Sequence, residues 1–298
     1  MALRRSRKRW SSTEPGPEPV VVKTPEAMRA LARDWHAAGA TIGLVPTMGA
    51  LHAGHMSLVA AARAETPRVV VSIFVNPLQF GPGEDFELYP RPVEADLAML
   101  REAEVDAVYM PDRSALYPRD ASTRVHVGGV TETLEGVHRP GHFEGVATVV
   151  TKLFWATRAD RAYFGQKDAQ QVAVVKRLAA DLDSGVEIRV CPTIRDADGL
   201  AVSSRNAYLN PAERTAALSL SRALRTVAEM YASGERDAGR LRARIHEVLA
   251  AEPLVRPDYA ELVDPATFQP PGTLAVLAVR IGITRLIDNH DVSQPFPG

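Results

Sequence analysis

One cysteine, Cys191, stands in 298 residues. A single thiol excludes an internal disulfide framework and fits a reducing compartment, so a cytoplasmic location is expected. Cys191 closes an apolar run beside Val190 and Pro192, which predicts a buried structural thiol rather than a nucleophile. No run of 18 or more apolar residues occurs, so neither a transmembrane helix nor a membrane partner is expected. Excess charge is also lacking. The 35 basic and 36 acidic residues leave a formal net charge of −1, which argues against nucleic acid as a partner and makes any anion site local. Lysine is scarce: Lys8, Lys23, Lys152, Lys167 and Lys176 are the only five among the basic residues. Neither GxxxxGKS/T nor GxGxxG is present, so a bound nucleotide must be held by something else.

What is there suits a globular fold. Hydrophobic residues make up 46% of the chain, enough for a substantial core, and the length suits one large domain or two smaller ones. Met1 to Arg9 is basic but has no apolar stretch behind it, so it does not read as a secretory signal. Ser11 to Pro19 is rich in Ser, Pro, Gly and Glu, and residues 1–19 are expected to form a disordered extension. Beyond it, strand patterns alternate with helical ones. A helix opens at Pro25, and a strand over Thr41 to Val45 is broken by Pro46. A helix from Gly54 to Glu65 follows, then a fully buried strand over Val69 to Val75. Further helices are predicted at Val93 to Ala103, Val146 to Thr157 and Asp168 to Leu182, the last capped by Asp168. Strands are predicted at Ala107 to Met110, Val125 to Val127, Arg161 to Phe164 and Glu187 to Cys191. Glu135 to Gly145 reads as loop.

This alternation predicts an α/β fold with a Rossmann-like parallel sheet over residues 20–192. A smaller α+β domain is expected over 193–298, with helices at Pro211 to Ser233 and Arg240 to Ala251. Its short strands are predicted at Ala260 to Val263, Leu274 to Val279 and Thr284 to Asp288. Ligands of open parallel sheets bind at the carboxyl ends of the strands. The loops at 46–55, 76–83 and 164–168 all follow strands.

The first of these loops carries His52 and His55 with Gly54 between them, at the start of a helix. A helix N-terminus offers free N–H groups and the positive end of its dipole, which suits phosphate. Two imidazoles would add donors. The same pair also fits two solvated side chains, or two ligands of a metal that lacks an obvious third. Lys167, at a strand-to-helix turn, could neutralise a phosphate oxygen or be a solvated charge. Ser203, Ser204 and Arg205 could close over a polyphosphate or form a polar interdomain loop. Asn76 and Gln79 could orient a small polar substrate or satisfy turn backbone groups.

Taken together, PTMGALHAGHMSLV (46–59), SIFVNPLQF (72–80), YPR (89–91), EGVHRPGHFEG (135–145), YFGQKDAQQ (163–171) and VSSRN (202–206) resemble the pantothenate synthetase, or pantoate–β-alanine ligase, family. The resemblance runs from about residue 20 onward. His52-Ala53-Gly54-His55 is similar to the HIGH signature of the nucleotidylyltransferases, and Val202-Ser203-Ser204-Arg205 to their KMSKS loop. The resemblance implies ATP-dependent condensation of pantoate with β-alanine through a pantoyl adenylate, with Mg²⁺ on the phosphates. It implies His52, His55 and Lys167 as catalytic residues. ATP contacts are implied at Met48, Gly49, His52, Gly54, His55, Gly165, Lys167, Asp168 (near the ribose), Val202, Ser203, Ser204 and Arg205. Substrate contacts are implied at Gln79, Gln171, Met48 and Asn76. Glu135 and Arg139 are expected behind the site or at a dimer face, since the family likeness implies a homodimer. Where some relatives carry consecutive acids after YPR, this chain has Glu94-Ala95-Asp96. No protein ligand of the metal is therefore assigned, with Asp96 a candidate or else a surface helix residue. A nucleotidylyltransferase that stops after nucleotidyl transfer, and a non-catalytic nucleotide-binding regulator, are the other readings.

Overall fold

The structure, a computed structural model, describes residues 17–297. Most of the expected N-terminal extension, residues 1–16, lies outside the described residues. Its last two residues are held: Pro19 is buried, and Glu18 pairs with Arg101 at 2.6 Å.

In chain order the elements are β1 (Val20–Val22), α1 (Pro25–Ala37), β2 (Ile42–Thr47), α2 (Ala53–Glu65), β3 (Arg68–Ile73), α3 (Val93–Glu102), β4 (Ala107–Tyr109), α4 (Arg113–Leu116), α5 (Glu135–His138), α6 (His142–Thr157), β5 (Arg161–Gly165), α7 (Ala169–Asp181) and β6 (Glu187–Cys191). The six strands form one parallel sheet in the order β1-β4-β3-β2-β5-β6. Side chains alternate across it as the period of 2 requires. Leu44, Val70, Ala162 and Phe164 join a core with α1, α6 and α7. Val45, Val69, Val71 and Tyr163 join a second core with α2 and α3. Helices thus cover both faces, which is why β2 and β3 carry apolar side chains on both. The chain runs to one side of β2 through β3 and β4 and to the other through β5 and β6. The carboxyl end of β2 is therefore the switch point where a crevice opens.

A small antiparallel sheet follows, β7 (Val255–Val263), β8 (Leu274–Ile281) and β9 (Thr284–Asp291), with α8 (Pro211–Ala232) and α9 (Ala238–Ala250) on one face. α8 opens with a capping box in which Asn210 and Glu213 exchange hydrogen bonds of 3.0 Å. Val263, Phe268, Leu274 and Val276 belong instead to the core under the large sheet, so the small sheet is packed on both sides.

Several boundaries differ from the sequence reading. β2 runs through Pro46 to Thr47. Its odd residues bond toward β3, as Thr41 and Thr47 show, so the missing N–H of Pro46 faces β5, whose pairing with β2 ends at Leu44. Val125–Val127 forms no strand, because the Val125 N–H is taken by Thr148 Oγ1 at 3.0 Å. α5 and the first turn of α6 occupy much of the expected 135–145 loop; Gly141, at φ 83°, makes the turn between them. The strands of the small sheet extend further than expected, since polar side chains on β7 and β9 find partners across the sheet or the lobe boundary. Cys191 is only half-buried, at the end of β6, and its burial raises the thiol pKa.

Candidate active site

The crevice at the carboxyl ends of β2, β3 and β5 holds a cavity of about 870 Å³, closed on its far side by β8, β9 and the 192–208 segment. His52 is the N-cap of α2, and its side chain makes no capping bond. One turn on, His55 stacks on it, with ring centroids 4.0 Å apart and planes at 27°. The Nδ1 atoms of both rings are buried without a hydrogen-bond partner among the described residues. Burial above all, then the charges of His52 and Lys167, pushes the His55 pKa down to about 3. Burial and then Lys167 also lower that of His52. The rings are therefore neutral, each offering one N–H, and Lys167 is the cation beside them. Gly54 permits the stack: a Cβ there would lie 3.0 Å from Cε1 and Nδ1 of His52.

Lys167 sits on a 3-10 turn, Gln166–Asp168, between β5 and α7. Its Nζ is 3.9 Å from Asp168 Oδ1. Asp168 is the N-cap of α7 by position, but its carboxylate does not cap the helix as expected; it remains open to the cavity. Met48, Gln79, Gly165, Gln171 and Val202 to Arg205 line the same cavity. Gly49 does not. It lies behind the wall at φ 80°, its N–H held by Thr47 Oγ1 at 3.1 Å.

Two expected roles are corrected by geometry. Asn76 lines the cavity, yet its amide is full. Oδ1 accepts from Leu78 N at 3.3 Å and Tyr117 OH at 3.0 Å, and Nδ2 donates to Gln79 Oε1 and Gly145 O, each at 3.0 Å. It orients Gln79 rather than a ligand, and Gln79 Nε2 in turn reaches Met48 Sδ at 3.3 Å. Asp96 is no surface residue. It is buried, with Oδ2 accepting from Ala50 N at 2.9 Å and Oδ1 from Leu51 N at 2.8 Å. Asp96 is outside the cavity wall, and it ties α3 to the loop that presents the histidines.

The sequence profile of the pantoate-beta-alanine ligase family matches residues 20–291. The chain belongs to that family. A pantothenate synthetase of Roseiflexus sp. is 56% identical over 254 residues, covering 84% of this chain and 91% of that protein. One from Herpetosiphon aurantiacus is 53% identical over 275 residues, covering 90% and 98%. Among solved structures, the pantothenate synthetase of Thermus thermophilus superposes with a TM-score of 0.87 at 46% identity, covering 92% of this chain and 99% of that one. The pantoate–β-alanine ligase of Francisella tularensis, solved with a β,γ-ATP ligand and β-alanine, gives 0.79 at 32% identity, covering 94% and 100%. The family forms pantothenate from pantoate and β-alanine, and the chain is a ligase of that kind.

In this ligase the loop after β3 carries acids that the sequence did not single out. Arg205, read as a phosphate clamp, is held by Asp85 through two bonds of 2.8 and 2.9 Å. Tyr89 OH lies 3.2 Å from Ser204 Oγ. Glu84 grips Arg139 through two bonds of 2.8 Å. Burial alone would raise the Glu84 and Asp85 carboxyls, but the guanidinium bonds outweigh it and hold both below the usual range. His142 accepts no stray proton either. Its Nδ1 lies 2.9 Å from Gln79 O and Nε2 3.1 Å from Arg139 Nη1; burial and then Arg139 push its pKa down to about 4.

Glu135 is neither solvent-facing nor remote. It lines the cavity at the seam between the lobes, where Arg285 of β9 holds it at 2.6 and 2.8 Å and Tyr259 OH of β7 donates at 2.8 Å. Burial would raise this carboxyl, but Arg285 brings it down to about 2. Only the mixture of charged and apolar residues in the C-terminal strands signalled such partners, and without the fold it named none of them.

Proposed function

We propose that this cavity joins pantoate to β-alanine in two ATP-dependent steps. A carboxylate oxygen of pantoate attacks the α-phosphorus, the bond to the bridging oxygen breaks, and pyrophosphate leaves. The β-alanine amine then attacks the acyl carbon of the pantoyl adenylate. An amide forms, AMP leaves, and the amine's proton passes to solvent. The products are pantothenate, AMP and pyrophosphate.

The observation that carries this reading is the meeting of the stacked His52–His55 pair, at the N-terminus of α2, with Lys167 across one cavity. Negative charge grows on the α-phosphate and the leaving pyrophosphate, and such chemistry is accelerated by fixed donors and cations more than by a base. His52 and His55 would donate to phosphate oxygens, with Lys167 supplying positive charge. Ser203, Ser204 and Arg205 would close on the triphosphate, with Met48, Gly165 and Val202 against the nucleotide and Asp168 at the ribose. Gln79, aimed by Asn76, and Gln171 would hold pantoate.

Mg²⁺ would neutralise phosphate charge. Among the described residues no group of three or more His, Cys, Asp or Glu is placed to hold a metal. Of the carboxylates lining the cavity, Glu84, Asp85, Glu135 and Asp288 are each paired with an arginine. The donor set fits an ion carried in by the phosphates rather than one caged by the protein.

Residues 193–298 would act as a lid over the catalytic domain of 20–192, keeping water from the acyl adenylate. The family likeness also supports a homodimer working in the cytoplasm, and light scattering on the purified chain tests the dimer. The reaction is tested by incubating the chain with ATP, Mg²⁺, pantoate and β-alanine and following AMP and pantothenate. Both products are expected, with His55→Ala and Lys167→Ala each slower by on the order of 10²–10³. Pyrophosphate release without pantothenate at any β-alanine concentration would sink the reading.

A further inference from the structure

β9 meets the large lobe with one face. Arg285, Ile287 and Asn289 stand on the cavity wall, and Leu286 among them also reaches the core of the small lobe. Arg285 reaches Glu135. Four residues on, Asn289 does something more specific. Its Nδ2 donates to the carbonyl of Gln166 at 3.0 Å and to that of Lys167 at 2.8 Å. Its Oδ1 accepts from Gln166 Nε2 at 3.3 Å. Asn289 is buried, and both of its donors are spent on the turn that carries Lys167. It is itself braced: Asp288 accepts from Asn289 N at 2.8 Å and from Arg195 at 2.6 and 3.0 Å.

Lys167 needs such support. A lysine ends in a compact charge on a flexible stem, so its aim is set largely by the backbone that bears it. Its ammonium has one ion-pair partner among the described residues, Asp168 at 3.9 Å, and the turn is a short 3-10 segment rather than a strand or long helix. We propose that Asn289 is a positioning residue for Lys167. By pinning the carbonyls of Gln166 and Lys167 to β9, it fixes the direction from which the ammonium meets the phosphates. Docking of the small lobe is thereby a condition for assembling the site. This rests on Lys167 acting on the phosphates, as proposed above.

The test is a double-mutant cycle on the full chain, with kcat and KM read at saturating pantoate and β-alanine. Asn289→Leu keeps the branched outline and removes the donors. Its kcat is expected to fall by on the order of 10- to 100-fold, the scale of a misplacement of about 1 Å. Leu249→Ala is the stability control, since it weakens the core of the same lobe away from the cavity; it is expected to lower Tm but not kcat. In a Lys167→Ala background, Asn289→Leu is expected to cost nothing further in kcat, because the group it positions is gone. Equal losses in both backgrounds, or a kcat that follows Tm as in the control, would overturn the proposal. If Asn289→Leu does not fold, Asn289→Asp carries the same comparison, since its carboxylate cannot donate to either carbonyl. Should Lys167→Ala itself keep full activity, it is the reading of the site that fails. A strong Lys167 effect with wild-type kcat in the Asn289 variants rejects the positioning role alone.

Discussion

A glycine decides the geometry of the histidine pair. Gly54 occupies the first turn of α2, where a Cβ would meet the His52 ring at 3.0 Å. Gly54→Ala is expected to separate effects that usually travel together. Helix propensity favours alanine by about 1 kcal/mol, so Tm should hold or rise. The displaced ring should lower kcat by roughly tenfold, since small misplacements in a preorganised site are costly. Steady-state kinetics beside a melting curve checks this, and a variant with both values unchanged would show that the stack is incidental. The spacing of the motif, two histidines three positions apart with a glycine between them, was visible in the sequence. The stacking and neutrality were not, because both come from burial under neighbouring chain segments.

At the scale of elements, loops gain their shape from helices that do not belong to the site. α3 contributes Asp96, whose two oxygens hold the N–H groups of Ala50 and Leu51. Ala50 itself sits at φ 50°, a conformation that costs a non-glycine residue about 1 kcal/mol or more, and the carboxylate keeps it there. Burial pushes the Asp96 carboxyl up, opposed by these two bonds. Asp96→Ala should lower stability by about 2–4 kcal/mol, as two charge-assisted bonds are lost and two donors are stranded. Urea unfolding measures this. If Asp96 instead held a metal ion in the site, the variant would keep its stability and lose only activity. α6 acts similarly on the other side. A Cβ on Gly145 would come within 2.6 Å of Leu78 O, Leu78 C and Gln79 N, so Gly145→Ala should force apart α6 and the turn that carries Gln79, raising KM for pantoate in steady-state assays. A wild-type KM in that variant would show that the turn yields without moving the amide.

For the molecule as a whole, burial of titratable groups sets the response to pH. In the unfolded chain a histidine takes its proton near pH 6.5, whereas His142 and His55 take theirs near 4 and 3. Between those values the unfolded state binds more protons than the folded one. Stability therefore falls as pH drops below 6.5, by at most ~1.4 kcal/mol per pH unit for each ring, and neither ring contributes above 6.5. Glu135 works in a lower window. Its carboxyl is held near 2 against an ordinary 4.5, so its contribution is complete above pH 4.5 and drains away as pH falls toward 2. Melting temperatures between pH 8 and 4 should be level above 7 and decline below 6.5, and His142→Asn should flatten part of that slope. A level profile down to pH 5 would contradict buried neutral imidazoles. Glu135→Gln should cost about 3 kcal/mol at pH 7 by removing one of the two carboxylates that Arg285 pairs with at the seam, with urea unfolding as the measure. A variant as stable as wild type would mean that Asp258, 2.6 Å from Arg285, suffices alone.

Apart from the short α4 and α5, and a strand at 125–127 that does not form, the order of the elements, the parallel sheet and the loops that reach its carboxyl edge were legible in the chain before any fold was known. They follow from local periodicity and from turn residues, which act over a few positions and so can be read in one dimension. His52, His55, Lys167 and Ser203 to Arg205 were marked in the same way, because short motifs keep their spacing in the chain. The pairings came only with packing: Asp85 on Arg205, Glu84 on Arg139, Arg285 on Glu135, Asn289 on the turn of Lys167. These partners lie from 55 to 150 positions apart in sequence. A charged or amide side chain carries no record of which distant group will face it when the lobes pack. Asp96 shows the same limit, since its backbone partners lie 45 and 46 positions earlier. Helical spacing places it on α3, but only the packing of that helix against the histidine loop buries it there.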